Sequence, residues 1–481
     1  MTTKPLLNWT RRCVGTVLLI AALSCGQANA GNQRPVILIS IDSLRADHCT
    51  PYGHTAQFTQ EKTTPFLQKM ADEGVVFENC SASAPWTLPS HISILTAMHP
   101  MEHGVRARRF RLPADTENIA GKFKSAGYQT AAFYSAPFLH PSWGYYPGFD
   151  TYVAAAPYLN SKEATDAMMN AGSPEIKEFH DVADTDKENA PHVVDHALQW
   201  LEKDDRKDTP FFLFLHFWDP HYNYQAPDDY NRLFLPDFSD ADLKLGATFT
   251  PRLPREYTPE EILRLKALYN AEIRYTDDQI ARLFDQLVQW GLENDVIIAI
   301  VSDHGDHFGE HGQYYHHRTL YEEVTHVPMV LRAPGLLEPA QRVAGSVANY
   351  DVGPTLLDLA ELTAWTERSG RSALPLLLSG GSHEIQMDLL HPGQKLDLRG
   401  WREAQNKVLW DTRQQTFSAW DLTKDPEEND PAYLSSPNET AVSSKASAAF
   451  RAAETTAGQA AAMTEDPEMK RKLAELGYID G

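Results

Sequence analysis

The stretch Val301-Ser302-Asp303-His304-Gly305-Asp306-His307-Phe308-Gly309-Glu310-His311-Gly312-Gln313-Tyr314-Tyr315-His316 decides how this chain is read. It follows Asp295-Val296-Ile297-Ile298-Ala299-Ile300, a β-branched apolar run that reads as a buried strand. The strand end delivers Asp303 and His304 together. A glycine-rich loop follows, with three more histidines and two more acids. Ligands of open α/β sheets collect at the carboxyl ends of the strands. An Asp-His pair placed there offers a carboxylate oxygen and an imidazole nitrogen to a divalent metal ion.

A second apolar run, Val36-Ile37-Leu38-Ile39-Ser40-Ile41, ends at Asp42, and a third, Pro210 to Phe217, ends at Asp219 and His221. A parallel sheet brings such ends to one edge, so Asp42 is the natural third metal ligand beside Asp303 and His304. Between 34 and 360 helical and strand patterns alternate, and nearly every strand is apolar on both faces. The pattern predicts an α/β fold: a three-layer sandwich with a mostly parallel central sheet covered by helices. The stretches 137–186 and 222–258 break the rhythm with proline, aromatic and acidic residues and read as loops at the ligand edge. After about residue 370 short antiparallel strands, Lys407 to Trp410, Gln415 to Phe417 and Ala419 to Leu422, mark a small C-terminal α+β subdomain. The expected organisation is a catalytic domain over 31–370, the subdomain over 371–433, and over 434–481 an Ala/Ser-rich linker with a terminal helix at Pro467 to Leu476.

Residues 1–30 read as a secretory signal: Lys4, Arg11 and Arg12, then Val14 to Leu23, then the small-residue site Ala28-Asn29-Ala30. Thr10-Arg11-Arg12 is also a partial twin-arginine pattern. The apolar segment is too short for a stable membrane anchor. The mature enzyme is expected in the periplasm or outside the cell. There Cys49 and Cys80 either bridge or stay as two buried thiols. The chain has 481 residues, with 43 Lys plus Arg against 65 Asp plus Glu and a formal charge of −22. That balance argues against a bulk nucleic-acid binder, so an anionic substrate needs a local positive patch or a metal.

Ala84-Pro85-Trp86-Thr87-Leu88-Pro89-Ser90-His91 precedes a helix expected to begin at Pro89. The Thr87 hydroxyl lies over that helix N-terminus, where amides and dipole favour an anion. A hydroxyl bound to a divalent metal becomes a nucleophile near neutral pH.

Taken together, Asp42 to Asp47, Thr87 to His91 through Thr96, His103-Gly104-Val105, Asp219-Pro220-His221, Tyr275 to Ile280, and Ser302 to Gly305 through Gly312 resemble the sulfatase family of the alkaline phosphatase superfamily. The resemblance runs from about 34 to 360 and continues weakly to Leu422-Thr423-Lys424-Asp425-Pro426-Glu427 and Leu476-Gly477-Tyr478. It implies an alkaline phosphatase-like sandwich with one catalytic divalent cation on Asp42, Asp303, His304 and position 87. It further implies that His221 and His316 contact the substrate oxyanion or leaving group, and that Arg108 meets a sulfate or phosphate oxygen.

The chain departs from that pattern at several positions. The family matures a Cys or Ser to formylglycine within Cys/Ser-x-Pro-x-Arg; here Thr87 and His91 stand at the first and last positions. Threonine, a secondary alcohol, cannot give that aldehyde, so no formylglycine is expected. Ser43 replaces the second Asp of the usual pair and His304 an Asn, which favours Mn²⁺ or Zn²⁺ over Ca²⁺. The Lys-x-His motif of many arylsulfatases is missing near Phe133-Tyr134-Ser135. The expected activity is metal-dependent hydrolysis of a small-molecule or glycan sulfate or phosphate ester, through a Thr87 nucleophile and a covalent intermediate. Two rivals remain. One is a phosphodiesterase or phosphoryl or phosphoethanolamine transferase of the same superfamily; the other is an inactive member that binds a sulfated glycan.

Overall fold

Strands that are apolar on both faces need helices on both sides, and the computed structural model has that arrangement. It describes residues 33–155, 189–203, 209–251, 255–434, 439–458 and 460–462. The export signal read over 1–30, most of the first loop excursion (156–188) and the terminal helix expected over 467–476 lie outside the described residues.

The first half of the chain runs β1 (Val36–Ile41), α1 (Pro65–Asp72), β2 (Val75–Ser81), α2 (Thr87–Thr96), β3 (Phe110–Arg111), α3 (Ile119–Ser125), β4 (Gln129–Tyr134) and β5 (Thr151–Ala154). Next come α4 (Ala190–Leu201), β6 (Phe211–Phe217), α5 (Asp228–Phe234), α6 (Asp240–Thr248) and the long α7 (Pro259–Gln289). Thr258 and Glu261 start α7 as a reciprocal capping box. The ligand edge follows with β7 (Ile297–Ser302) and the ribbon β8 (His307–Phe308) and β9 (Tyr314–Tyr315). Then come β10 (His326–Val327), β11 (Met329–Arg332), β12 (Gln341–Ala348) and α8 (Val352–Leu359).

The central sheet has nine strands in the order β10-β2-β11-β7-β1-β6-β4-β5, with β12 added beside β2. The block β7-β1-β6-β4-β5 is parallel, while β11 runs antiparallel to β7 and β2. Two cores result from the period-two alternation of side chains. Val36, Leu38, Phe212, Phe214, Ile297 and Ala299 face α2, α3 and α8, whereas Ile37, Ile39, Leu213, Leu215, Ile298 and Ile300 face α1, α4 and α7. Each fully buried Leu, Ile or Phe contributes about 1.5–3 kcal/mol. Both faces together fix the register, because a one-residue slip would exchange the two sets.

The C-terminal part holds a five-stranded antiparallel sheet, β13 (Glu384–His391), β14 (Leu396–Glu403), β15 (Asn406–Asp411), β16 (Thr416–Asp421) and β17 (Ala432–Leu434). The two runs expected at 415–417 and 419–422 are one strand. The stretch 434–465 is not only a linker. It contains α9 (Ala441–Thr455), whose Ala446, Ala449, Phe450 and Ala453 pack on Trp401, Val408 and Phe417. It then forms β18 (Ala461–Ala462), paired with β3. Alanine marks a helix face weakly, which is why the helical period was not evident from hydrophobicity. The excursion 222–258, expected as irregular, carries α5 and α6. Cys49 and Cys80 are buried and free. Among the described residues no helix is long and apolar enough to cross a membrane.

The two sheets are joined by a buried ionic cluster. Lys407 on β15 is fully buried, and its Nζ lies 2.9 Å from Glu322 Oε1 and 2.9 Å from Glu428 Oε1. Arg402 Nη1 on β14 donates to Glu322 Oε2 at 2.8 Å. Removing one partner of such a cluster strands a charge in a low-dielectric interior. Lys407→Met is expected to lower unfolding free energy by about 3–5 kcal/mol, read as a shifted denaturant midpoint. Pairing it with Glu428→Gln should restore part of the loss. An unchanged midpoint in the single variant would refute the cluster's role.

Candidate active site

The register places the site. Ile41 pairs with Phe217 on one side and with Ser302 on the other, so β1, β6 and β7 end at one level. The next residues on β1 and β7, Asp42 and Asp303, share the sheet face that α2 covers. Both are fully buried, as is His304. One ligand atom from each of the three lies within 4.8 Å of the others. Ser43 occupies the left-handed region with φ 57°, turning the chain so that its amide donates to Asp303 Oδ1 at 3.1 Å and its hydroxyl to Asp42 Oδ1 at 3.0 Å. Position 43 therefore buttresses both carboxylates.

α2 begins at Thr87 itself, two residues earlier than the proline at 89 implied. Thr87 Oγ1 lies 3.4 Å from Asp42 Oδ2 and 3.4 Å from His304 Nε2. His304 Nδ1 donates to Gly305 O at 3.0 Å, which leaves the Nε2 lone pair facing the two acids. It lies 3.4 Å from Asp303 Oδ2 and 3.6 Å from Asp42 Oδ1. Asp303 Oδ2 is buried and accepts no hydrogen bond. Burial and the charge of Asp42 push the Asp303 carboxyl far above its ordinary range. Asp42 is held low in spite of its burial, by hydrogen bonding from His216 and by His221 and His304. Two acids, an imidazole nitrogen and a hydroxyl converge here with an orphaned oxygen among them. This donor set fits one divalent ion.

The remaining expected residues divide into two groups. His316 and His221 are at the site, their rings 5.1 Å apart, and the His316 ring lies 4.4 Å from that of His304, tilted by 46°. His316 Nδ1 donates to Asp306 Oδ1 at 2.5 Å, so its Nε2 is left buried without a partner. His221 Nδ1 donates to Tyr222 O at 2.6 Å. Burial pushes both imidazoles down to about 4. Arg108 lines the cleft outside the triad, its guanidinium 5.7 Å from the Phe138 ring centre. His91 is different. It is completely buried, its Nδ1 donating to Thr87 O at 2.9 Å and lying 3.3 Å from Asp303 Oδ2, while its Nε2 meets Ser40 Oγ at 2.9 Å. Both nitrogens are engaged, so it braces Thr87 and Asp303 and does not open onto the cleft.

Two residues escaped the sequence reading. His216 on β6, opposite Ser40, is fully buried with Nε2 3.4 Å from Asp42 Oδ2. It shares the parity of Asp42 and Asp303, which was the available signal, but its apolar run gave it the look of core. Asp306 is fully buried and orients His316. Arg45 ties this loop to β1, donating to Asp306 O at 3.0 Å and pairing with Glu310 at 3.1 Å.

Comparison with known proteins agrees with this geometry. The sulfatase family model matches residues 34–362. The chain belongs to the sulfatase family. That membership places it among metal-assisted hydrolases of sulfate and phosphate esters. A second model, the C-terminal region of N-sulphoglucosamine sulphohydrolase, matches 309–454. An arylsulfatase of Clostridium perfringens is 27% identical over 443 residues, covering 82% of this chain and 89% of the relative. Human iduronate 2-sulfatase is 26% identical over 417 residues, covering 73% and 74%. Among solved structures, a complex with D-glucosamine-2-N,6-O-disulfate superposes with a TM-score of 0.68 at 19% identity, covering 88% of this chain and 98% of that one. A phosphonate monoester hydrolase of Agrobacterium radiobacter gives 0.67 at 21%, covering 88% and 96%. At these identities the superpositions establish the fold alone.

The triad makes a direct prediction. Chelator-treated protein should gain about 2.7 kcal/mol of unfolding free energy in Mn²⁺ or Zn²⁺ at 100 times its Kd, measured by denaturant titration. Asp303→Asn should remove most of that gain. No stabilisation by any divalent ion would contradict the assignment.

Proposed function

We propose that the protein is a metal-dependent hydrolase of sulfate or phosphate esters in which Thr87 is the nucleophile, with no formylglycine at that position. The observation that carries this is the Thr87 hydroxyl, 3.4 Å from both Asp42 Oδ2 and His304 Nε2 at the first residue of a ten-residue helix. A divalent ion held by Asp42, Asp303, His304 and Thr87 would supply Lewis-acid charge that lowers the hydroxyl's pKa and offsets charge on the transferred group.

Thr87 Oγ1 attacks sulfur or phosphorus and the bond to the ester oxygen breaks. The amides of Thr87 and Leu88 at the start of α2, which have no intrahelical acceptor, would be donors for the equatorial oxygens. The proton that leaves the Thr87 hydroxyl is taken up by a neutral imidazole and delivered to the leaving oxygen; His316, whose Nδ1 is held by Asp306, and the neighbouring His221 are the two imidazoles placed for this. Water then cleaves the covalent Thr87 ester and the hydroxyl is regenerated. His91 and Ser43 act by positioning. Residues 1–30 are proposed as an export signal, with the enzyme working in the periplasm or outside the cell.

Threonine with an Asp-His pair also suits phosphoryl chemistry, so a phosphodiesterase or phosphoryl transferase is the second reading. One experiment separates them: metal-loaded enzyme assayed on matched aryl sulfate, phosphate monoester and phosphodiester. Thr87→Ala is expected to lose roughly 10³-fold or more in kcat/KM, and Thr87→Ser to keep a measurable fraction. Full activity in Thr87→Ala would sink the nucleophile assignment, and a phosphodiester preference would select the second reading.

A further inference from the structure

β6 is a run of buried residues in which His216 is the one polar side chain. The strand lies between β1 and β4, and His216 shares the sheet face of Phe212 and Phe214. Its ring has no exposure to water. An apolar side chain would fill that place at lower cost, because a buried imidazole gives up its hydration. Apart from Asp42, no group satisfies either ring nitrogen among the described residues. An imidazole in that position adds nothing to the sheet that a methionine would not. What it faces is the metal triad: Nε2 lies 3.4 Å from Asp42 Oδ2.

The two oxygens of Asp42 have different surroundings. Oδ1 accepts the Ser43 hydroxyl at 3.0 Å and lies 3.6 Å from His304 Nε2. Oδ2 meets His216 Nε2 and the Thr87 hydroxyl, each at 3.4 Å. The set whose ligand atoms converge within 4.8 Å is Asp42, Asp303 and His304, without His216. His216 would therefore act on an ion through Asp42 and not as a ligand. Asp303 has a counterpart in His91, whose Nδ1 lies 3.3 Å from Asp303 Oδ2. The rings of His91 and His216 meet edge-on, 4.8 Å apart. Each carboxylate thus has one buried imidazole behind it. Groups that hold a ligating side chain from behind fix which atom it presents, and their loss typically costs about 10–100-fold in metal affinity.

We propose that His216 is a positioning residue of the metal centre: its Nε2–H holds Asp42 Oδ2, so that Asp42 presents Oδ1 to the ion. With Oδ2 supplied by the imidazole, the Thr87 hydroxyl is released from donating to Asp42 and is left for the ion. The inference deepens the metal-dependent reading of the site and rests on it. His216 touches neither ion nor substrate in this role.

The test is metal binding, not turnover. Chelator-treated full-length protein is titrated by calorimetry with Mn²⁺ and Zn²⁺ in turn, as wild type, His216→Met and His216→Gln. Methionine fills the space without a donor, whereas glutamine keeps an N–H at about the place of Nε2. His216→Met is expected to lose about 10–100-fold in affinity, and His216→Gln to recover most of that loss. Should His216→Met fail to fold, His216→Asn takes its place, since its shorter amide is polar but does not reach Asp42. Binding by the donorless variant as tight as wild type would overturn the proposal and leave the metal reading standing. A glutamine variant as weak as the methionine one would also overturn it, because packing and not the donor would then matter. Binding of neither ion by the wild type would overturn the metal reading, and this role with it.

Discussion

Two carboxylates are buried side by side at the ends of parallel strands, and the site depends on that placement. Asp42 and Asp303 have no exposure to water, and burial with the charge of Asp42 raises the cost of ionising Asp303. Burying like charges is tolerated when a cation or a set of donors compensates. Part of the compensation comes from the chain's own donors: the Ser43 amide and hydroxyl, the His304 amide, which donates to Asp303 Oδ1 at 2.8 Å, and the His216 imidazole 3.4 Å from Asp42. What stays uncompensated is the lone pair of His304 and the unpartnered oxygen of Asp303, which a divalent ion would satisfy together. The sheet enforces this geometry because two apolar cores, one on each face, leave no alternative register.

The loop after β7 is held as firmly as the strands. Arg45 spans from the β1 loop to Asp306 and Glu310, while Tyr269 on α7 accepts the Arg45 amide at 2.9 Å and donates to Ser43 O at 2.6 Å. These contacts fix Asp306, and Asp306 fixes His316. The imidazole at the cleft is thus positioned through Asp306 by Arg45, from the loop after the first strand. Among the described residues, those that line the cleft include arginines, histidines and aromatics and no acid, in a chain of formal charge −22. Local field, not net charge, decides what such a cleft attracts.

Much of this was legible in the sequence. The apolar runs ending in Asp42, His221 and Asp303-His304 gave the sheet, its ligand edge and the triad, because strand ends of a parallel sheet converge whatever the loops do. Thr87 followed from its place before a proline-containing helix start. The antiparallel strands β13 and β14 were not legible, because they bury charge. Asp388 pairs there with Arg399 and Arg106, and Arg402 lies inside the fold. Hydrophobicity does not reveal a strand whose inward residues are ion-paired. α9 was hidden by its alanines, and His216 by its apolar neighbours.

The most direct test of the central claim is to trap the covalent intermediate. Metal-loaded enzyme is mixed with a fast-leaving aryl sulfate or aryl phosphate, quenched in acid within one turnover, digested and mapped by mass spectrometry. The account predicts a sulfuryl or phosphoryl group on Thr87, absent from Asp303→Asn. A modified residue elsewhere, or turnover with an unmodified Thr87 under conditions that trap a control intermediate, would contradict it.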